Sequence, residues 1–132
     1  MGPFKKVMIV EDDPLLSVVE QKMVERLGYD VIGKAVSGEE ALEKIQDLNP
    51  EILLIDVQLA GQLNGIQTVK KIRERFMDLP VIFLSGDRSP SVLKNAQTTE
   101  YVDFLLKPVT VQELSIPLNK ASEMVSVAQN AA

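Results

Sequence analysis

The chain has 132 residues, of which 45% are hydrophobic and 25% are charged. This length and composition predict a single globular domain over residues 1–132, in which we expect a core at about 5–125 and flexible termini. The formal net charge of −5 disfavours a function based on nonspecific attraction to nucleic acid or to an anionic membrane.

The composition also excludes several kinds of chemistry. The chain contains no cysteine and no histidine, which rules out disulfide bonds, thiolate metal sites and imidazole acid–base catalysis. No apolar run approaches the length of a membrane span, and residues 1–6 lack a signal-peptide core. We therefore expect a soluble cytoplasmic protein that binds neither a membrane nor nucleic acid directly.

The first half of the chain alternates two apolar runs with amphipathic segments. Val7–Val10 predicts a strand that is buried on both faces. Asp13 and Pro14 then begin a helix. Its core face is predicted from the apolar residues at helical spacing, which are Leu16, Val19, Met23 and Leu27. Val31–Ala35 predicts a second strand, and a capping box that begins at Ser37 opens a second helix.

The same alternation continues in the middle of the chain. Ile52–Ile55 is the most apolar run, and like the first strand it ends at an acid, Asp56. Turn residues up to Asn64 and Gly65 lead into a third helix. Val81–Leu84 then predicts a fourth strand.

Two helices and one strand are predicted in the remaining residues. Ser89 and Pro90 indicate the start of a fourth helix, and Phe104–Leu106 predicts a fifth strand. A capping box that begins at Thr110 opens the final helix. Pro117 should bend this helix or shift its start, because proline lacks the N–H donor that the preceding turn requires.

Five strands that alternate with five helices predict an α/β fold, a three-layer doubly wound parallel sheet with helices on both faces. In such sheets ligands bind beyond the carboxyl ends of the strands. Four of the five strands end at residues with chemically active side chains, which are Glu11 and Asp12, Asp56, Ser85 and Lys107. We expect these side chains to meet at one edge of the sheet.

Carboxylates that converge at one edge repel one another unless they are neutralised. A hard divalent cation, for which Mg²⁺ is the best fit among the common ions, would neutralise them together with Lys107. A carboxylate can also attack phosphorus to give an aspartyl phosphate. Asp56 is the predicted nucleophile, and the metal ion, Lys107 and the Ser85 hydroxyl would surround the transferring phosphoryl group.

Four motifs at these strand ends occur together in an order and spacing that are typical of one family. They are "IVEDD", "LLIDVQL", "VIFLSG" and "FLLKP". Through them the chain, over about residues 5–125, resembles the receiver domain of two-component response regulators. The resemblance implies a flavodoxin-like sheet of order 2-1-3-4-5 and a module that accepts a phosphoryl group on Asp56 with Mg²⁺ and signals by a conformational switch. Such a module is no conventional enzyme, since it catalyses only its own phosphorylation and slow dephosphorylation.

The resemblance also implies roles for individual residues. The implied metal ligands are Glu11, Asp12, Asp56 and the backbone carbonyl of Gln58. Asp56, Lys107 and Ser85 would be the catalytic residues, and Ser85 and Phe104 would form the switch. The peptide bond between Lys107 and Pro108 is expected to be cis.

Partners follow from the same resemblance. The phosphodonor would be a sensor histidine kinase or a histidine phosphotransfer protein. A downstream effector protein or domain would receive the signal, and a phosphorylation-dependent homodimer is compatible with this scheme.

Two features depart from the usual receiver pattern. Ala60 stands where a proline is usual, and the loop to Asn64 and Gly65 is one residue longer, which predicts an altered loop rigidity. Glu100 and Tyr101 replace a common Gly-Ala pair before the fifth strand, which predicts an unusual surface there.

Structural interpretations of the same residues stay open. Asp13 is expected to be a helix cap rather than a metal ligand. Taken alone, Glu11 and Asp12 are also compatible with solvated acids near a helix N-terminus. Ser85 is equally typical of a turn, and Phe104 of a core.

Three alternative functions share parts of this sequence pattern. A degenerate receiver would act as a phosphorylation-independent interaction module, but the complete set of acids, hydroxyl and lysine argues against it. A Mg²⁺-dependent phosphohydrolase would use Asp56 as its nucleophile, but the haloacid dehalogenase pattern expects a second aspartate where Gln58 stands. A flavin or nucleotide module would need a glycine-rich phosphate loop, which the chain lacks.

Overall fold

Five strands and five helices alternate along the chain in the computed structural model, which describes residues 5–131, with side chains described for residues 5–127. The strands are β1 (Lys6–Val10), β2 (Asp30–Ala35), β3 (Ile52–Asp56), β4 (Val81–Ser85) and β5 (Asp103–Leu106). The helices are α1 (Pro14–Arg26), α2 (Gly38–Leu48), α3 (Gly65–Ile72), α4 (Pro90–Gln97) and α5 (Val111–Ala131). Every predicted element is present, while the expectation of flexible termini falls partly on residues 1–4 and 132, which lie outside the described residues.

All five strands are parallel and lie in the order β2-β1-β3-β4-β5, which confirms the predicted fold. The strand order reverses between β1 and β3, and a crevice for ligands forms at such a switch point. The carboxyl ends of neighbouring strands are in register, since Asp56 is paired with Leu84 and Ser85 with Leu106. The residues that follow these strands therefore lie at one edge of the sheet.

Helices cover both faces of the sheet, and each face has its own hydrophobic core. α1 and α5 pack on one face, and α2, α3 and α4 pack on the other. Every residue of β3 and β4 is buried, because a parallel sheet in this architecture is covered on both sides. The strands thus form a densely packed base for the polar residues at their ends.

The buried face of α1 differs from the prediction. Its buried residues are Ser17, Glu20 and Val24, whereas the predicted core residue Val19 is 43% exposed. The other predicted core residues of α1 are only half-buried. Two sets of residues in α1 have the spacing of one helix face, and they differ by one position along the chain. The set that contains Ser17 and Glu20, which is the more polar of the two, packs against the sheet.

Side-chain caps begin α1 and α2 as predicted, with one difference. Asp13 Oδ1 accepts hydrogen bonds from two backbone N–H groups of the first turn of α1 at 2.9 and 3.1 Å. Ser37 Oγ accepts from the Glu40 N–H at 3.1 Å. The Glu40 carboxylate accepts from the N–H of Val36 rather than that of Ser37, so the reciprocal bond of the predicted box is displaced by one residue.

Helix α5 begins where its capping box predicts. Thr110 Oγ1 accepts from the Glu113 N–H at 3.1 Å, and the Glu113 carboxylate accepts from the Thr110 N–H at 2.9 Å. The helix continues from Val111 through Pro117 to Ala131, so Pro117 does not shift its start, and the alternative, a bend at Pro117, stays a prediction. Burial of the Pro117 ring offsets the lost backbone hydrogen bond. Within the described part of the chain, no helix combines the length and the apolar character that a membrane span requires.

A prediction concerns Gly65, the first residue of α3, where an added methyl group would overlap the Asp56 carbonyl oxygen. We expect Gly65→Ala to lower the free energy of unfolding by about 1–3 kcal/mol, because a backbone atom at the end of β3 cannot rotate away. Gly86→Ala is the matched control, since a methyl group there meets no atom within 4 Å. Urea unfolding of both variants checks the prediction, and equal midpoints would contradict it.

Candidate functional site

Three carboxylates meet at the carboxyl ends of β1 and β3. Glu11 follows β1, Asp12 comes next, and Asp56 is the last residue of β3. One oxygen of each carboxylate lies within 4.8 Å of the others. Glu11 and Asp56 are buried, and Asp12 is half-buried. The structure thus brings together the three predicted acids as a group that could hold a metal ion.

The ammonium group of Lys107 lies between two of these acids. Its Nζ atom donates hydrogen bonds to Glu11 Oε1 at 2.7 Å and to Asp56 Oδ2 at 2.8 Å. Since Lys107 follows β5, these bonds join the ends of three strands. Charge-assisted hydrogen bonds of this length are strong, and they balance part of the negative charge of the cluster. The peptide bond between Lys107 and Pro108 is cis, as expected.

Burial and neighbouring charges shift the pKa values of this cluster. Burial raises the pKa of Asp56, the hydrogen bond from Lys107 opposes this rise, and the negative charge of Glu11 adds to it. The resulting pKa is about 6. Burial acts to lower the pKa of Lys107, but its hydrogen bonds to the two acids outweigh burial and raise the pKa. Lys107 therefore stays charged at neutral pH, where most of Asp56 is ionised.

A fourth acid, Glu20 of α1, adjoins the cluster and was missed by the sequence reasoning. It is 4% exposed, and its carboxyl group shares a hydrogen bond with Glu11. Burial, this hydrogen bond and the charge of Glu11 raise the pKa of Glu20 to about 9. Glu20 therefore holds a proton at neutral pH. Its spacing from Ser17 and Val24, three and four residues away, puts these residues on one face of the helix, but the spacing alone does not show that this face is buried.

Glu20 in turn influences Glu11. Burial acts to raise the pKa of Glu11, but hydrogen bonds from Glu20 and Lys107 outweigh burial and lower it. Glu11 is consequently the ionised member of the pair, and it presents its charge to Lys107.

The segment after β3, residues 57–64, donates backbone hydrogen bonds to the carboxylates of Asp12 and Glu39, besides one from Gln58 to Asp56. The Ala60 N–H donates to Asp12 Oδ2 at 3.1 Å, and the Leu63 N–H donates to Glu39 Oε1 at 2.9 Å. A proline at position 60, which the resemblance would lead one to expect, has no N–H for the first of these bonds. Ala60 therefore links the loop directly to the acidic cluster.

Ser85 is fully buried at the end of β4. Its hydroxyl group lies 3.0 Å from Gln58 Oε1 and 2.8 Å from the carbonyl oxygen of Asp87. The Gln58 N–H donates to Asp56 Oδ1 at 3.2 Å, so Gln58 connects Ser85 with Asp56. Metal binding by the Gln58 carbonyl stays a prediction, as does the role of Ser85 toward a ligand.

Phe104 belongs to a cluster of three aromatic rings, of which Phe83 and Phe104 are buried and Tyr101 is half-buried. The centroid of its ring lies 6.0 Å from that of Phe83 and 6.1 Å from that of Tyr101. Tyr101, which replaces a small residue of the usual pattern, therefore packs into the core. Glu100 before it has φ of 55°, a left-handed conformation that glycine adopts without steric cost. Phe104 is a core residue in this arrangement, and its switching role stays a prediction.

Fold and site together define a class, the flavodoxin-like domains with a lysine-bridged acidic cluster at the switch point of the sheet. The family model described as "Response regulator receiver domain" matches residues 7–119. The chain belongs to this family of receiver domains.

Individual relatives agree with this assignment. The chain is similar to the probable C4-dicarboxylate response regulator DctR of Halalkalibacterium halodurans, at 31% identity over 92% of this chain and 53% of that protein. It is also similar to the chemotaxis protein CheY of Thermotoga maritima, at 29% identity over 90% of this chain and 98% of that protein. The chain spans about half the length of several curated relatives that it matches.

A solved structure shows the same fold. The signal receiver domain of a modulated diguanylate cyclase from Desulfovibrio desulfuricans G20 superposes with a TM-score of 0.86 at 31% identity. The match covers 95% of this chain and 98% of that one.

A second prediction concerns the pH dependence of stability. The folded pKa of Glu20, about 9, lies above its ordinary value of 4.5. The folded state therefore binds more protons than the unfolded state between these values, and stability falls as the pH rises through this window. We expect Glu20→Gln, which keeps a hydrogen-bond donor, to raise the free energy of unfolding at pH 8 by roughly 1–3 kcal/mol.

Denaturant unfolding at several pH values between 5 and 9, in the presence of a chelator, checks this expectation. Glu43→Gln, at an exposed acid of α2, is the control and should follow the wild-type curve. A Glu20→Gln protein that also follows that curve would show that Glu20 does not hold its proton in the folded state.

Proposed function

We propose that the chain accepts a phosphoryl group on Asp56. The observation that carries this proposal is the buried Asp56 carboxylate with Lys107 at 2.8 Å and two further acids beside it. An oxygen of Asp56 attacks the phosphorus atom of a phosphohistidine. The O–P bond forms as the P–N bond breaks, and the imidazole nitrogen leaves with the bonding electrons.

Contacts of Asp56 prepare it as the nucleophile. A pKa of about 6 leaves the carboxylate ionised at neutral pH. Lys107 holds Oδ2, and the Gln58 N–H donates to Oδ1, so the orientation of the carboxylate is defined before a donor binds. As negative charge moves onto the phosphoryl oxygens, the Lys107 ammonium can stabilise it.

The acidic cluster fits Mg²⁺, which prefers oxygen ligands and keeps several waters. Its ligands in this chain would be Glu11, Asp12, Asp56 and the carbonyl of Gln58. The donor set supports the assignment, because three carboxylates near one ammonium leave negative charge uncompensated in a partly buried place. When bound, the ion would neutralise charge on the phosphoryl oxygens.

Signalling is proposed to pass through Ser85 and Phe104. A phosphoryl oxygen near Asp56 offers the Ser85 hydroxyl a charge-assisted hydrogen bond. A hydroxyl drawn toward Asp56 vacates space that Phe104 can fill, which would change the populations of two packings of the surface formed by α4, β5 and α5.

Receiver domains interact with sensor kinases and effector domains. For this chain we propose a sensor histidine kinase or a histidine phosphotransfer protein as phosphodonor and a downstream effector protein or domain as the recipient of the signal. A docking surface beside the site is supported by exposed apolar side chains of α1, the helix that follows the acids Glu11 and Asp12. These side chains are Leu15, Val18 and Val19. The homodimer and the cytoplasmic location stay predictions.

The alternative functions are not favoured. A phosphohydrolase of the haloacid dehalogenase type would have a second aspartate at the position of Gln58. Gln58 has no acidic group, and its side chain contacts Ser85 and Gly86. A degenerate receiver would lack part of the catalytic set, whereas the acids and Lys107 are in contact here.

The proposal predicts that acetyl phosphate with Mg²⁺ adds one phosphoryl group to the wild-type chain and none to Asp56→Asn, since an amide is not a nucleophile toward phosphorus. Intact-mass measurement with and without a chelator checks this. Asp103→Asn is the control, because Asp103 lies at the start of β5, whereas Lys107 follows the end of this strand. This variant should be labelled like the wild type. Equal labelling of the Asp56→Asn protein would refute the assignment.

A further prediction separates metal binding from helix capping in the acidic run. Mg²⁺ at 100 times its Kd should stabilise the folded wild type by about 2.7 kcal/mol, and Asp12→Ala should lose most of this gain. Asp13→Ala removes the cap of α1, so it should lower stability without Mg²⁺ but keep the response. Thermal unfolding with and without Mg²⁺ distinguishes the two residues, and the opposite pattern would make Asp12 a structural acid.

A further inference from the structure

The side chain of Gln58 forms a bridge between two segments at the candidate site. Its Oε1 atom accepts hydrogen bonds from the Ser85 hydroxyl at 3.0 Å and from the Gly86 N–H at 3.1 Å. Its backbone N–H donates to Asp56 at 3.2 Å. Among the described residues, no other side-chain hydrogen bond joins the loop of residues 57–64 to residues 85–89. The resemblance to receiver domains assigns no role to this side chain.

The bridge occupies the groups that a phosphoryl oxygen would have to engage. The Ser85 hydroxyl has a single proton. Two acceptors, Gln58 Oε1 and the Asp87 carbonyl, lie within hydrogen-bond distance of the hydroxyl in this structure. The hydroxyl is fully buried, so it cannot turn to a new acceptor without leaving one of these two. The Gly86 N–H is held by the same Gln58 oxygen.

Little else holds the start of α4. The Ser89 side chain caps no backbone N–H of the helix and hydrogen-bonds only with the Ser91 hydroxyl, at 3.3 Å, and Pro90 at the first turn supplies no N–H donor. The remaining hydrogen bonds within the segment are local, from the Asp87 N–H to Ser85 and from the Ser89 N–H to Asp87. Gln58 is therefore the side chain that connects this segment to the rest of the site.

We propose that Gln58 is a positioning residue that holds Ser85 and Gly86 in the unphosphorylated arrangement and thereby opposes the switch. The inference rests on the proposed function, because it assumes that the Ser85 hydroxyl turns toward a phosphoryl group on Asp56. A phosphoryl oxygen competes with the Gln58 amide oxygen, and only the difference between the two affinities shifts the populations. Loss of the amide oxygen should therefore favour the switched state.

Gln58→Leu tests this, because the branched leucine side chain still fills space in the loop but has no oxygen that could accept a hydrogen bond. Without any ligand, the backbone amide NMR shifts of α4 in this variant should move toward the positions that the wild type adopts with beryllofluoride and Mg²⁺. The beryllofluoride concentration at half-response should fall by about 3- to 10-fold, which corresponds to the net contribution of about one hydrogen bond. Gln58→Ala should act in the same direction.

Two comparisons distinguish positioning from a structural role. Gln62→Leu changes an exposed residue of the same loop and should leave the α4 shifts and the half-response unchanged. In a Ser85→Ala background, which removes the hydroxyl that Gln58 holds, Gln58→Leu should have a much smaller effect than in the wild type. An effect of equal size in both backgrounds would mean that Gln58 only stabilises the loop, and it would overturn the inference.

The inference and the proposed function can fail separately. A wild-type chain that responds to beryllofluoride, together with a Gln58→Leu protein whose α4 shifts and half-response match the wild type, would overturn the inference alone. A wild type that shows no response to beryllofluoride and accepts no phosphoryl group would overturn the proposed function and the inference with it.

Discussion

The ion pairs of Lys107 with Glu11 and Asp56 organise the edge of the sheet at which the site lies. The ends of β1, β3 and β5, which are far apart in the chain, converge on one ammonium group at 2.7 and 2.8 Å. Both acids are buried, so without the lysine they would be uncompensated charges in a poorly solvated place. The strand order brings Glu11 and Asp56 close together, because β1 and β3 are neighbours at the switch point.

Compensation by Lys107 is incomplete, and other donors hold the remaining oxygens. Glu20 adds no fourth charge, since its pKa of about 9 lets it keep a proton and share it with Glu11. The Ala60 N–H donates to Asp12. Neutral and cationic donors from α1, the β3–α3 loop and β5 thus contact the acids in the resting domain. A bound cation would compete with these donors, which would couple metal binding to the local packing.

The fold and most of the site could be predicted, because both depend on patterns that are local in the chain. Buried parallel strands are continuous apolar runs, and the polar residue that ends each run marks its carboxyl end, as at Asp56 and Lys107. Glu20 could not be found in this way, because the apolar spacing of α1 identifies a helix but not which stripe faces the sheet. The Gln58 bridge also escaped prediction, since it depends on how closely two loops approach.

The contacts of residues 57–64 suggest how a change of charge at Asp56 reaches α4. This loop touches the acidic cluster through the Gln58 and Ala60 N–H groups, and through the Gln58 side chain it touches Ser85 and Gly86, which lead to α4. Under the proposed function, a new ligand at the cluster would compete with these loop contacts as well as attract Ser85. Each donor that changes partner leaves an acceptor behind, and the surrounding core is too densely packed to deform gradually. Under the proposed function, the signal would be a redistribution between two sets of hydrogen bonds. Its extent would depend on the difference between the affinity of these donors for a phosphoryl oxygen and their affinity for the oxygens that they leave.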